Sequence, residues 1–170
     1  AYPERQLDMV RSMISMYREW GWMPKWELYG RETFTMEGDP AIPVITDTYL
    51  KGLKDIDIDT AYEAFVTSAT TEGAKNRMRP DNDPYMKDGY IPLGYFAADF
   101  SGDNSVSHAL EYYVADNALS LLAAHLGHAE DAKLFRDRAL NYKHYYSRES
   151  GTLRPLNADG TFLSPFNPRQ

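Results

Sequence analysis

Cysteine is absent from the 170 residues, so the chain has no disulfide framework and no thiolate metal site, and its redox compartment stays open. Basic clusters are absent as well. Lysine and arginine occur as scattered singles within a net charge of −7, which speaks against a nucleic-acid surface and against an anionic membrane. No apolar run approaches the ~18 residues of a membrane span, and the N-terminus lacks the charged-then-apolar pattern of a signal peptide. There is also no phosphate-cradling glycine motif, no Ser-His-Asp elbow and no HExxH pair. A neutral ligand fits what these absences leave.

What is present is enough chain for one domain with a core, burying roughly 70% of the surface an unfolded chain of this size exposes. The chain opens at Ala1, enters a helical pattern almost at once, and stops at Asn167-Pro168-Arg169-Gln170 after an aromatic, Pro-rich turn. Both ends read as cut, and the expectation is a piece of a larger protein.

Apolar periodicity predicts a helix from Pro3 to Trp20, with Leu7, Val10, Ile14 and Tyr17 on one stripe and Gly21 at its C-cap. Asp39-Pro40 reads as an N-cap and first residue of a second helix, apolar nearly all round and closing at Lys51-Gly52. Asp59 is expected to cap a third, amphipathic helix carrying Ala61, Tyr62, Phe65, Val66 and Ala69. Periodicity then fails from Thr70 to about Gly102, where Pro80, Pro84 and Pro92 mark a long loop. Ser105 to Gly127 is the longest helical signal, apolar on two sides and so buried, with Ser105 as its cap. His128 to Tyr146 is amphipathic again, with Phe135, Ala139, Tyr142 and Tyr146 inward and Lys133, Arg136, Asp137 and Arg138 toward water. A weak hairpin around Leu153 to Phe162 turns at Asp159-Gly160. The alternation of amphipathic and buried helices predicts an all-α, two-layer array, a solenoid or an α/α toroid, whose loops at 20–38 and 70–104 share one rim.

Loops on such a rim carry chemistry, and the first is unusual: Gly21-Trp22-Met23-Pro24-Lys25-Trp26, then Glu32 and Thr33. Trp22 and Trp26 offer flat apolar faces suited to a sugar ring, although an aromatic side chain also serves as core. Glu32 is a candidate substrate-binding carboxylate, with a solvated or Arg31-paired acid as the plainer alternative. His108 and Glu111 fall on one face at the start of the buried helix, as a pocket wall or as a satisfied polar network. His125 and His128 read as helix-end residues, not ligands. Asp81-Asn82-Asp83 with Asp88-Gly89 fails as an EF-hand, because Tyr85 stands at a ligand position and no glutamate closes the loop.

The run from Gly21 to Trp26 with Glu32-Thr33, Met36, Gly38, Asp39-Pro40 and Tyr49-Leu50-Lys51-Gly52-Leu53 resembles glycoside hydrolase family 92, the calcium-dependent exo-acting α-mannosidases. Ser105-Val106-Ser107-His108-Ala109-Leu110-Glu111-Tyr112, Leu126-Gly127, Arg154-Pro155, Asp159-Gly160 and Pro165-Phe166 are similar to later blocks of that family in the same order. The resemblance implies part of an (α/α)6 catalytic domain, residues 1–170, truncated at both ends, of which about five helices are readable. It implies removal of α-linked mannose, with α-1,2 the expected linkage, from glycans by inversion, with one acid protonating the leaving oxygen and a base activating water across roughly 6.5 to 9.5 Å.

The family's acid glutamate, base aspartates and calcium-site motif would lie beyond Gln170, and its sugar-contacting Trp-Asp motif before Ala1. No catalytic or metal residue is therefore assigned to this chain, and calcium belongs to the full-length enzyme. The candidate substrate-binding set is Trp22, Trp26, Glu32, Thr33, His108 and Glu111. Implied partners are a mannose-containing glycan and the rest of the same polypeptide, in a periplasmic or secreted setting. The isolated chain is expected to be inactive. Two rivals stay open: a self-contained helical-repeat module that binds a glycan or protein without chemistry, and a glycosidase using Glu32 and Glu111 themselves.

Overall fold

A computed structural model describes residues 2–95 and 104–168 of the chain. The class is all-α. Helix α1 (Pro3–Trp20) starts with proline in its first turn and stops where Gly21 adopts φ +78°, its N–H returning to Tyr17 O at 2.7 Å. Leu7, Val10 and Ile14 form its buried stripe, as the periodicity requires.

A two-residue hairpin follows, pairing β1 (Glu27–Leu28) with β2 (Arg31–Glu32). Tyr29 and Gly30 turn it, both at positive φ, the geometry of a type I′ turn.

Helix α2 (Ala41–Leu50) is shorter than the predicted span, and Asp39 does not cap it. The Asp39 side chain is buried and receives the Ser68 hydroxyl and Arg79 Nε instead. In α3 (Ile58–Thr70) the cap is Asp57, two residues before the expected Asp59: its carboxylate accepts from the Thr60 N–H at 3.1 Å. The predicted loop after Thr70 contains a 3-10 turn at Gly73–Lys75 and helix α4 (Asn82–Asp88), closed by Gly89 at φ +77°. Residues 96–103 of that loop lie outside the described residues.

Helix α5 (Ser105–Leu126) is the central element, packing on α2, α3 and α6 (Ala129–Ala139). Asn104, not Ser105, holds its cap position, and Ser105 is buried as the first helical residue. Beyond Ala139 the chain tightens into a 3-10 segment, Leu140–Tyr145. That change of pitch buries Tyr145 and leaves Tyr142 and Tyr146 exposed, reversing the expected register. Arg138 likewise turns inward, to Asp116. A short pair, β3 (Tyr146–Ser147) with β4 (Thr152–Leu153), precedes the predicted hairpin, which is realised as one bridge between Leu156 and Phe162 with Gly160 in its turn.

Two cores result. One joins α1, α2 and α3 to the C-terminal half of α5 through Ile14, Ile42, Ile45, Phe65, Leu119, Leu122 and Phe135. The other surrounds the N-terminal half of α5 with Tyr85, Ile91, Tyr112, Tyr113, Tyr145 and Leu156. Burying a side chain of this size is worth about 1.5–3 kcal/mol, so these clusters fix where the α5 start sits relative to the loops. Not all apolar surface is covered. Met9 of α1 and Val44 of α2 border an open groove of about 410 Å³, and Val114 of α5 borders another of about 480 Å³ with Leu140 and Tyr142.

Candidate substrate-side rim

The loop after α1 is anchored by Met23, which is 3% exposed and belongs to the first core. Trp22 is half-buried and Trp26 is 48% exposed, so the second indole is the one that faces solvent. Glu32 organises the loop from inside. Its carboxylate accepts the backbone N–H groups of Lys25, Trp26 and Phe34 at distances between 2.5 and 3.0 Å. Thr33 closes the same turn, its N–H and hydroxyl both reaching Trp26 O, at 3.2 and 2.7 Å. Charge-assisted bonds to backbone amides are the stronger kind, so Glu32 holds Trp26 in place and does not pair with Arg31.

The two predicted rim loops do meet. Lys25 Nζ donates to Met78 O at 2.6 Å, and the Arg77 guanidinium stacks 4.1 Å over the Phe34 ring. Burial pulls the Lys25 ammonium below the ordinary lysine range, against the attraction of Asp39, Asp81 and Glu32.

Beneath the rim lies a buried ionic cluster. Arg79, fully buried, donates from Nη1 to Asp116 Oδ1 at 2.8 Å and from Nε to Asp39 Oδ2 at 3.2 Å. Arg138 Nε reaches the other oxygen of Asp116 at 2.6 Å, and the Tyr85 hydroxyl donates to that same oxygen at 2.8 Å. Burial alone would raise the Asp116 carboxyl, but Arg79 and Arg138 outweigh it and hold it below the usual carboxylate range. Burial also works against the charge on Arg79, and Asp116 and Asp39 more than offset it. Asn76 completes the frame, accepting the N–H groups of Met78 and Arg79 while donating to Ser68 O.

A third buried acid, Asp81, connects this frame to α5. The Tyr112 hydroxyl donates to its Oδ1, and His108 Nδ1 lies 3.1 Å from its Oδ2. Burial, then Asp81, pushes the Tyr112 hydroxyl well above the ordinary phenol range, so it stays a donor. On its other side His108 Nε2 is 3.6 Å from Glu37 Oε1. One turn on, Glu111 lies against Gly38, where an added Cβ would come 2.8 Å from Glu111 Cβ. Gly38 sits at φ +80° and has no room for a side chain.

The six expected residues thus form two groups. Trp22, Trp26, Glu32 and Thr33 share the near end of the loop, and His108 and Glu111 share the start of α5. Glu37 and Gly38 bridge them, Glu37 through His108 and Gly38 through Glu111; the sequence pattern did not single out Glu37, and Gly38 entered only as part of the family-like run. The buried acids and arginines were missed as well. One signal was available: Asp116 lies on the apolar face of α5, four residues after Tyr112 and three before Leu119.

Among the described residues no group of three or more His, Asp or Glu side chains is arranged to hold a metal ion. His125 lies 3.1 Å from Lys54 Nζ, and His128 stacks 4.5 Å from Tyr62.

An all-α array whose central helix begins beneath a tryptophan-bearing rim loop is the architecture of a helical toroid segment. The chain belongs to the Glycosyl hydrolase family 92 catalytic domain, whose profile matches residues 1–170. An uncharacterized secreted glycosidase of Arthroderma benhamiae is 30% identical over 178 residues, an alignment covering 98% of this chain and 22% of that protein. A family GH92 inverting mannosidase from Bacteroides thetaiotaomicron superposes with a TM-score of 0.86 at 28% identity, covering 98% of this chain and 22% of its own. A family GH92 α-mannosidase of the same organism, in complex with mannoimidazole, gives a TM-score of 0.84 at 31% identity, covering 98% and 21%. The chain therefore spans about a fifth of the length of these relatives.

Proposed function

We propose that this chain works within a longer polypeptide as part of an inverting α-mannosidase that removes α-1,2-linked mannose from glycans outside the cytoplasm. The observation that carries the reading is the family match over the whole chain, joined to structural likeness to an inverting mannosidase and to an α-mannosidase bound to mannoimidazole. Its placement outside the cytoplasm follows the secreted glycosidase it resembles. The rest of the polypeptide is its first partner. The open apolar grooves beside α1–α2 and α5–α6 are what neighbouring helices of a toroid would cover, and they disfavour a self-contained module with polar outer faces.

In this reading the catalytic carboxylates and the calcium ligands lie outside these 170 residues. Calcium, when bound, would polarise sugar oxygens, and the residues described here do not fit a calcium site. The part of this chain is binding and orientation. Trp26 presents an apolar face to a sugar ring, its backbone fixed by Glu32 and Thr33. His108 and Glu111 wall the same side, with Asp81 and Tyr112 setting the histidine ring and Gly38 setting the carboxylate. The isolated chain has no activity.

Trp26→Ala and His108→Ala in the full polypeptide test the assignment. A rise in KM for an α-mannoside of about tenfold, from lost stacking or hydrogen bonding, is expected, with the fold intact by circular dichroism. Unchanged KM in both variants would remove these residues from the substrate side.

A further inference from the structure

The geometry points to an oxyanion-binding subsite between the two rim loops, a function separate from mannose hydrolysis and independent of it. The site is a cleft of about 320 Å³ lined by Trp20, Arg31, Glu32, Phe34 and Arg77. It is set at the end of α1, where the β1–β2 hairpin and the segment before Arg79 converge. Its two cations, Arg31 and Arg77, make no ion pair among the described residues, a state shared by Arg5, Arg136 and Arg148, but they alone of these face one cleft together. In a chain of net charge −7, two unpaired guanidinium groups on one cleft mark a local reversal of sign.

The surroundings position the Arg77 guanidinium and the Arg31 backbone on this cleft. Arg77 is stacked 4.1 Å over the Phe34 ring, which leaves its N–H edge free to donate and fixes the plane of the fork. Phe34 keeps a left-handed φ of +57°, unusual for an aromatic residue, and its N–H is tied to Glu32. Arg31 sits in β2, its position set by pairing with Leu28.

Among the described residues that line the cleft, Glu32 is the one acid. Both its oxygens are engaged by the N–H groups of Lys25, Trp26 and Phe34, so its charge faces amide donors and is partly offset. Guanidinium groups donate and never accept. The matching ligand is therefore acceptor-rich and anionic, a carboxylate or phosphate group, with Trp20 as an apolar wall for whatever carries it.

The experiment titrates the whole chain at constant chloride with inorganic phosphate, D-glucuronate and, as a neutral control, methyl α-mannoside. NMR follows the Nε–H resonances of Arg31 and Arg77 and the indole of Trp20. Saturating shifts at these groups with a Kd below about 10 mM for phosphate or glucuronate, and none for the mannoside, are expected. The tighter of the two acids identifies a tetrahedral or a planar oxyanion. Arg31→Gln and Arg77→Gln, both on exposed side chains, should each weaken binding about tenfold with unchanged circular dichroism. Absence of saturation by both acids up to about 50 mM, equal shifts with the neutral mannoside, or unchanged affinity in both variants would overturn the assignment.

Discussion

Arg79 Nη1 meets Asp116 Oδ1 at 2.8 Å with neither side chain touching solvent, so the segment before α4 is bolted to the middle of α5 by a bond that water cannot replace. Asp116→Ala would leave Arg79 and Arg138 facing each other without their shared counter-charge and strip the Tyr85 hydroxyl of its acceptor. Breaking one side of a buried ion pair costs about 3–5 kcal/mol, and urea denaturation of the variant should show a loss of that order. A loss under about 1 kcal/mol would mean that the cluster does not hold the fold.

The same carboxylate sets an acid limit. Its folded pKa lies below the ordinary value of about 3.9, so the unfolded chain takes up that proton first as pH falls. The stabilisation is complete above about pH 4 and is lost as pH drops through the folded value. The urea midpoint of the natural chain should hold between about pH 5 and 7 and fall steeply below about pH 4. Asp116→Asn should begin lower and slope less over the same acid range. Parallel acid slopes in the two proteins would place the acid sensitivity elsewhere.

Glu32 offers a local test, because its partners are amides. Glu32→Ala frees the N–H groups of Lys25, Trp26 and Phe34 while leaving both cores untouched. Bonds to a charged acceptor contribute about 1.5–3 kcal/mol, so hydrogen exchange at those three amides should accelerate by about one to two orders of magnitude. Exchange in α5 should stay as it was. Acceleration throughout the chain would make Glu32 a global stability residue instead.

Gly38→Ala tests the junction between the loop and α5. The substitution meets Glu111 Cβ at 2.8 Å and also forces a side chain to φ +80°. A loss of about 1–3 kcal/mol is expected, measured by thermal or urea unfolding. Adding Glu111→Gly should recover part of that loss, since it removes the steric component and leaves the backbone strain. Strictly additive losses would show that the two residues do not touch.

The helices that organise the molecule were legible because their signals are local and repeated. Pro3, the Leu7-Val10-Ile14 stripe and Gly21 bound α1 with no help from tertiary structure. Capping was less legible, since Asp39, Asp57 and Asp59 are all good caps by type. Asp39 is lost as a cap because Arg79, some 40 residues away, draws it into the interior, and Asp57 caps α3 because the helix begins at Ile58, leaving Asp59 inside its first turn. Helix α4 was hidden by prolines that read as breakers but sit near its start, where proline is tolerated. The rim hairpin turns on Tyr29-Gly30, which lacks the Asn-Gly signature of a type I′ turn. Trp22, Trp26, Glu32, Thr33, His108 and Glu111 were visible as residue types in unusual company. The bridging role of Glu37, and of Gly38 beyond its place in the family-like run, became visible only when α5 was brought against the loop.

The activity of the full polypeptide is read most directly from the configuration of its first product. Proton NMR during hydrolysis of an α-1,2-linked mannobioside reads the configuration of the mannose released before mutarotation. The account predicts β-mannose as the first product, the outcome of a single inverting displacement at an α-linkage. Release of α-mannose first, or no mannose at all from an α-mannoside, would contradict it.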